Sequence, residues 1–245
     1  MLDEYMEVRS GSIAVRYAAA DQPYAEQTLA VLSEAYAFLK GYFHTAGSLP
    51  TSVRAILVPT RSAYDRLVVG LLGVDIEVPS NPGRVAQPQR TDIVFLSPSA
   101  YRQHSTYYYD AAEYRRLVAH ELVHVFEEHL APDIEASPRW WSEGLAAYLS
   151  GQWNHADQFR FRQPVMDGIR LGSVPCMSDI PPDVDLCYAW GWTIVMFIEH
   201  TYGRDAIGRI VRECRDGDVL ATLGEDPVAF ESRWRQWLLE ETRRL

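Results

Sequence analysis

Cysteine is scarce in this chain: Cys176, Cys187 and Cys214 are an odd number, and no pair has metal-binding spacing. That argues against a disulfide framework and against a cysteine-built metal site. Basic charge is also short. Lys and Arg total 23 against 33 Asp and Glu, a formal net charge of −10. Such a chain is a poor binder of phosphate backbones or anionic lipid, and the pairs Arg115-Arg116 and Arg243-Arg244 read as solvated surface. No apolar run approaches the roughly 18 residues needed to span a bilayer. The opening Met1-Leu2-Asp3-Glu4-Tyr5-Met6-Glu7 is acidic and lacks the apolar stretch of a signal peptide. The expectation is a cytoplasmic protein with neither a nucleic-acid nor a membrane partner. Internal repeats and low-complexity segments are absent as well.

What is present is large apolar rings and ordered periodicity. Aromatics make up 12% of the 245 residues, too many for a disordered chain and enough to fill a core. The length suits one large domain or two lobes sharing a core. Alternation predicts strands over Ser12 to Ala19, Val53 to Val58 and Asp92 to Leu96. Spacing of three and four predicts helices over Gln22 to Phe43 and Ser62 to Leu72. Val74 to Thr91, with three prolines, reads as a loop that could serve as a lid. Asp110 and Glu113 form a capping-box pattern opening a long helix to about Leu130, stopped before Pro132. Ser137-Pro138 opens another, ended by Gly151. Pro164 to Asp185 reads as a long loop, followed by helices over Leu186 to Tyr202, Arg204 to Arg215 and Pro227 to Arg243. The expected organisation is a single catalytic domain, 1–245, of fold class α+β. A small mixed sheet with the active helix (1–131) precedes a helical lobe (132–245).

The chemistry is carried by His120-Glu121-Leu122-Val123-His124, an H-E-x-x-H motif. On a helix, positions i and i+4 lie about 40° apart around the axis and one turn apart along it, so both imidazoles can converge on one ion. Glu121 is rotated off that pair, placed to act as a base rather than a ligand. Nitrogen and carboxylate donors suit zinc, which in a catalytic site keeps one position open and lowers the pKa of a coordinated water to about 7. The opposite face, Leu117, Val118, Leu122, Val125 and Phe126, is apolar, as a buried helix requires.

A third ligand is needed. A further histidine at the sixth position after His124 is excluded, because that position holds Leu130; His129 points about 140° away and reads as a surface residue. Glu143, nineteen residues after His124, is the candidate, on a helix able to fold back onto the first. Gly144 would permit close approach there, with Ala146 and Ala147 keeping the face thin.

Together these residues resemble the gluzincins, zinc peptidases with H-E-x-x-H and a downstream glutamate. The pattern is similar to the aminopeptidase N family and to the smaller bacterial peptidase MA-like domains. Trp140, Glu143, Gly144, Ala146 and Tyr148 occupy every fixed position of W-x-x-E-G-x-A-x-Y. The resemblance is strong over residues 110 to 203. It implies a zincin-like fold, one Zn2+ ion on His120, His124 and Glu143, catalysis by Glu121, and a peptide or protein substrate. Tyr188-Ala189-Trp190-Gly191 matches Y-x-x-G, which implies that Tyr188 donates a hydrogen bond to the oxyanion. The G-x-M-E-N that captures a substrate's amino group is absent before His120, so aminopeptidase specificity is not implied. An acidic residue four positions after the third ligand is replaced by Ala147, so the carboxylate orienting a zinc histidine must come from elsewhere. Asp92 to Leu96 could form a cleft edge that pairs with an extended peptide, or be a plain sheet strand. Tyr107-Tyr108-Tyr109 could line a pocket, though such runs more often pack on the surface. The competing reading is a zinc-binding domain of this kind with a non-peptide substrate or a non-catalytic binding role.

Overall fold

A computed structural model describes residues 4–44, 48–131, 137–154, 161–180, 184–214 and 217–241, and among them five strands and ten α-helices account for most of the structure. The expected stop at Pro132 and the pair Arg243-Arg244 lie outside those residues. The chain divides into two compact units, one of Met1–Gly41 with Leu49–His129, the other of Tyr42–Ser48 with Leu130–Leu245.

The first unit is built on a mixed sheet of order β1-β2-β3-β5-β4. Its strands are β1 (Met6–Ser10), β2 (Ile13–Tyr17), β3 (Val53–Val58), β4 (Ala86–Gln89) and β5 (Asp92–Leu96). β2, β3 and β5 run parallel, and β1 and β4 pair antiparallel at the two edges. The central strands V-R-A-I-L-V and D-I-V-F-L are apolar almost throughout and buried on both faces, as parallel strands are. Parallel neighbours need crossover segments. α1 (Gln22–Tyr42) joins β2 to β3, and α2 (Arg61–Gly70) lies between β3 and β4. The short α3 (Tyr101–His104) and the long α4 (Ala111–Leu130) complete the unit.

Two expectations change here. β5 is not a sheet edge, because β4 pairs along its open side. β4 was unreadable: A-Q-P-Q has no alternation, and Pro88 is tolerated only because the strand is an edge. The remainder, 74–85, is the expected loop, and side chains tie it down. The Arg61 guanidinium donates to Ser80 Oγ at 3.2 Å and to the carbonyls of Pro82, Arg84 and His104. Asp65, buried on α2, accepts from Ser80 N–H at 3.2 Å and from its hydroxyl. The tyrosine run packs on the surface: Tyr108 is 87% exposed, while Tyr109 meets Tyr24 edge-on and donates to Gln27.

The second unit is helical: α5 (Arg139–Leu149), α6 (Arg162–Leu171), α7 (Val184–Tyr202), α8 (Arg204–Glu213), α9 (Val219–Leu223) and α10 (Pro227–Glu241). α6 falls in the stretch expected to be loop. Pro164 sits in its first turn, where no backbone donor is lost, and Gly172 ends it with φ 67°. α7 is the hub. Trp190 meets Trp234 edge-on, Phe197 meets Phe230, Trp192 stacks on Trp153, and the Trp234 indole donates to Thr193. Cys176, Cys187 and Cys214 are all thiols. Among the described residues no helix is long and apolar enough to cross a membrane.

Candidate functional site

α4 carries the H-E-x-x-H residues, and its position in the first unit is fixed along its length. Asp110 Oδ1 caps it by accepting from Glu113 N–H at 2.8 Å, one half of the expected capping box. Next, the buried Tyr114 hydroxyl shares a 2.7 Å hydrogen bond with Thr28 of α1, and its ring meets Phe95 of β5. Farther on, Phe126 packs edge-on against Tyr36 of α1. At the far end Glu128 accepts from Gln89 Nε2 and from Arg90 N–H in the β4–β5 turn.

The two imidazoles converge as the spacing requires. His120 Nε2 and His124 Nε2 are 3.1 Å apart and the rings are near-perpendicular. Two nitrogens bound to one tetrahedral ion at zinc–nitrogen distances lie roughly 3.3 Å apart. At 3.1 Å the pair lies close to that separation. His120 is buried and His124 half-buried. Glu121 is 8% exposed between them, and His129 is exposed.

Glu127 was not recognised from the sequence. It is 1% exposed, and its Oε2 lies 3.5 Å from His124 Nδ1, the nitrogen facing away from His120. A buried carboxylate behind a histidine fixes tautomer and ring orientation. The signal was there in the i, i+3 spacing on one helix. Two other carboxylates are engaged elsewhere. Asp110 caps α4. Glu199 accepts from Tyr42 at 2.8 Å and from Tyr148, with Arg204 beside it at 3.8 Å.

Two tyrosines join Glu121 in the first unit. Tyr64 of α2 and Tyr101 of α3 are buried, and neither hydroxyl has a hydrogen-bond partner among the described residues. Burial first, and the Glu121 carboxylate among the charges, push both phenols above their ordinary range.

In the second unit Glu143 and Tyr188 stand on two helices held at backbone contact. Glu143 follows Arg139 by one turn on α5, 3.7 Å from its guanidinium, and its side chain is 15% exposed. Its neighbour Gly144 meets α7 at Gly191; a Cβ on Gly191 would fall 2.3 Å from the Trp140 carbonyl. Gly144 thus serves the contact with α7. The expectation had assigned it to packing against the H-E-x-x-H helix. Tyr188 lies almost one turn before Gly191, half-buried against the Phe161 ring at 6.0 Å. The glycine of Y-x-x-G has a steric role that the motif alone does not reveal.

A protein-family model described as the Peptidase MA superfamily matches residues 108–240, more than half of the 245-residue chain. The match runs from just before α4 into α10 and leaves the sheet outside it. No curated protein matches the chain.

Proposed function

The chain belongs to the Peptidase MA superfamily, and from that premise we propose that it is a zinc-dependent metallopeptidase. The observation that carries the reading is the convergence of His120 Nε2 and His124 Nε2 to 3.1 Å with Glu121 buried beside them. His120, His124 and Glu143 offer two nitrogens and a carboxylate oxygen, a donor set able to hold a metal ion and one of the sets that zinc accepts in catalytic sites. When bound, zinc supplies Lewis acidity and makes a water nucleophilic near neutral pH.

The chain's own groups supply the rest of the proposed mechanism. Glu121 accepts the proton of the attacking water and returns it to the leaving nitrogen; general-base catalysis of this kind is worth ~10²–10⁴ in rate. The Tyr188 hydroxyl donates a hydrogen bond to the developing oxyanion, and such a donor lowers the barrier by about 3–4 kcal/mol. The Phe161 ring restricts the tyrosine. Glu127 holds His124 in the tautomer that presents Nε2.

The test is cleavage of a mixed peptide library by zinc-loaded protein, read by mass spectrometry beside Glu121→Gln. Cleavage that a chelator stops and the variant lacks supports the reading, and the cut sites distinguish endo- from exo-action. One equivalent of bound zinc without cleavage by either protein removes general peptidase activity and favours a non-peptide substrate or a binding role. Failure to bind zinc sinks both.

A further inference from the structure

β1 is an edge strand with an unusual sequence, Met6-Glu7-Val8-Arg9-Ser10, and an exposed one: only Val8 is half-buried. Its inner side is fixed by the register. Ser10 pairs with Ile13 across a two-residue turn, in which Gly11 takes φ 57°. The pair flanking such a turn is hydrogen-bonded, and hydrogen-bonded pairs then alternate along the ladder. Ser10, Val8 and Met6 therefore point their backbone groups at β2, and Glu7 and Arg9 point theirs away from it. The far side of β2 agrees. Ser12 O accepts from Val53 N–H at 3.2 Å, so the even-numbered residues of β2 serve β3 and the odd-numbered ones serve β1. Among the described residues nothing pairs with the outer side of β1.

The side chains on this edge are complementary to themselves. Arg9 Nε donates to Glu7 Oε1, and Arg16 Nε of β2 donates to Glu7 Oε2 at 3.3 Å. Laid antiparallel against a copy of itself about a two-fold axis at Val8, the strand sets Glu7 opposite Arg9 and Arg9 opposite Glu7. These are the residues whose backbone groups face outward, so both form hydrogen-bonded pairs, each exchanging its two bonds. Opposite charges directly across a ladder stabilise it, and like charges oppose it. On the other face the two Val8 side chains meet, flanked by Met6, which is 46% exposed. A strand register shifted by two residues would bring Glu7 opposite Glu7 or Arg9 opposite Arg9, so the charges also select the register.

We propose that β1 is a homodimerisation edge: two copies of this chain pair Met6–Ser10 antiparallel about Val8 to form one continuous sheet. The arrangement is isologous, which closes at two copies and uses up the β1 edge. It uses backbone bonds for affinity and the Glu7–Arg9 pairs for register. It depends on neither a bound metal nor activity.

The experiment is sedimentation equilibrium of the full chain over a wide concentration range, beside Arg9→Glu, Glu7→Arg and Arg9→Pro. Wild type is expected to approach twice 27.9 kDa as concentration rises. Arg9→Glu and Glu7→Arg each replace attraction by repulsion in both pairs, and each is expected to weaken self-association about tenfold or more. Mixing the two variants restores a dimer, because one strand is then acidic and the other basic. Arg9→Pro deletes an outward N–H and no bond to β2, and is expected to be monomeric. Circular dichroism matching wild type, with the mixing rescue, separates lost pairing from lost folding. A wild type that stays monomeric throughout overturns the proposal, whether the edge is covered by another segment or is left to solvent. So does a dimer indifferent to all three substitutions, which would use another surface.

Discussion

A Cβ built on Gly144 would stand 2.4 Å from the carbonyl carbon of Gly191. The obstacle is backbone, so no side chain can rotate away to make room. Gly144→Ala must therefore separate α5 from α7. Helix propensity favours the alanine by about 1 kcal/mol, whereas overpacking costs 1–3 kcal/mol and tends to the upper end when backbone must move. We expect a net loss of about 2 kcal/mol, seen as a lower denaturation midpoint, together with weaker metal binding because Glu143 is the adjacent residue. Gly191→Ala should behave alike. A Gly144→Ala protein as stable as wild type would show that the two helices do not touch at this point.

His124 is expected to depend on Glu127. With the carboxylate 3.5 Å behind Nδ1 and 1% exposed, Glu127→Gln keeps the volume and removes the charge that orients the ring. Loss of such a partner costs roughly 10–100-fold in metal affinity. Competition against a chromogenic chelator reads this directly, without any substrate. Glu128→Gln, one residue on and engaged with the β4–β5 turn, is the control that should leave affinity unchanged. Equal affinities for wild type and Glu127→Gln would assign Glu127 to packing alone.

How far the sequence could be read follows the range of the forces involved. β3 and β5 were placed to the residue because a strand buried on both faces is apolar almost throughout. The helix of His120 and His124 was placed by its cap and its period, which are local properties. β4 was missed because its pairing is decided by β5, not by anything in A-Q-P-Q. β1 was missed because an exposed edge carries no burial pattern. The α6 helix was masked by Pro164 and its glycines, which are turn-formers in isolation and helix starts and stops in context. In the candidate site, His120, Glu121, His124, Glu143 and Tyr188 were legible as motif members. Glu127 was not read: its i, i+3 spacing from His124 was visible, but a buried glutamate reads like any solvated one until its surroundings are known. The steric need for Gly191 was equally hidden, because it exists only when α5 and α7 are in place.

Stability should fall at alkaline pH through the tyrosines. Burial, with Glu199 next, holds Tyr148 at about 12, and burial, with Glu225, does the same for Tyr202. Tyr42, Tyr64, Tyr101 and Tyr114 are pushed higher still, chiefly by burial. In the unfolded chain tyrosine titrates near an ordinary value of about 10. Below about pH 10 both states keep these protons, and the groups contribute no pH dependence. Above it the unfolded state loses protons first, so stability declines as pH rises from about 10 through 12 and beyond. Tyrosinate absorbance is expected to rise in two phases, the later one coinciding with loss of ellipticity. A single early phase with the fold intact would contradict the burial of these hydroxyls.

Arg90 offers a test of the turn that anchors the far end of α4. Its φ of 55° is the one positive value outside glycine among the described residues. Its N–H donates to Glu128, which also accepts from Gln89 at 3.0 Å. A side chain in the left-handed region costs about 1–2 kcal/mol, which glycine escapes. Glycine in turn loses up to about 1 kcal/mol through the greater freedom of the unfolded chain. Both Arg90→Gly and Arg90→Ala keep the N–H donor and remove the guanidinium, so comparing them isolates the backbone. At an ordinary position alanine is the more stable of the two. Here the order should invert, with Arg90→Gly ahead by several tenths to about 1 kcal/mol in chemical denaturation. If alanine is equal or better, the turn does not hold Arg90 in the left-handed region. Glu128 then grips the β4–β5 turn through Gln89 alone, and Glu128→Ala should cost no more than one side-chain hydrogen bond, about 1 kcal/mol.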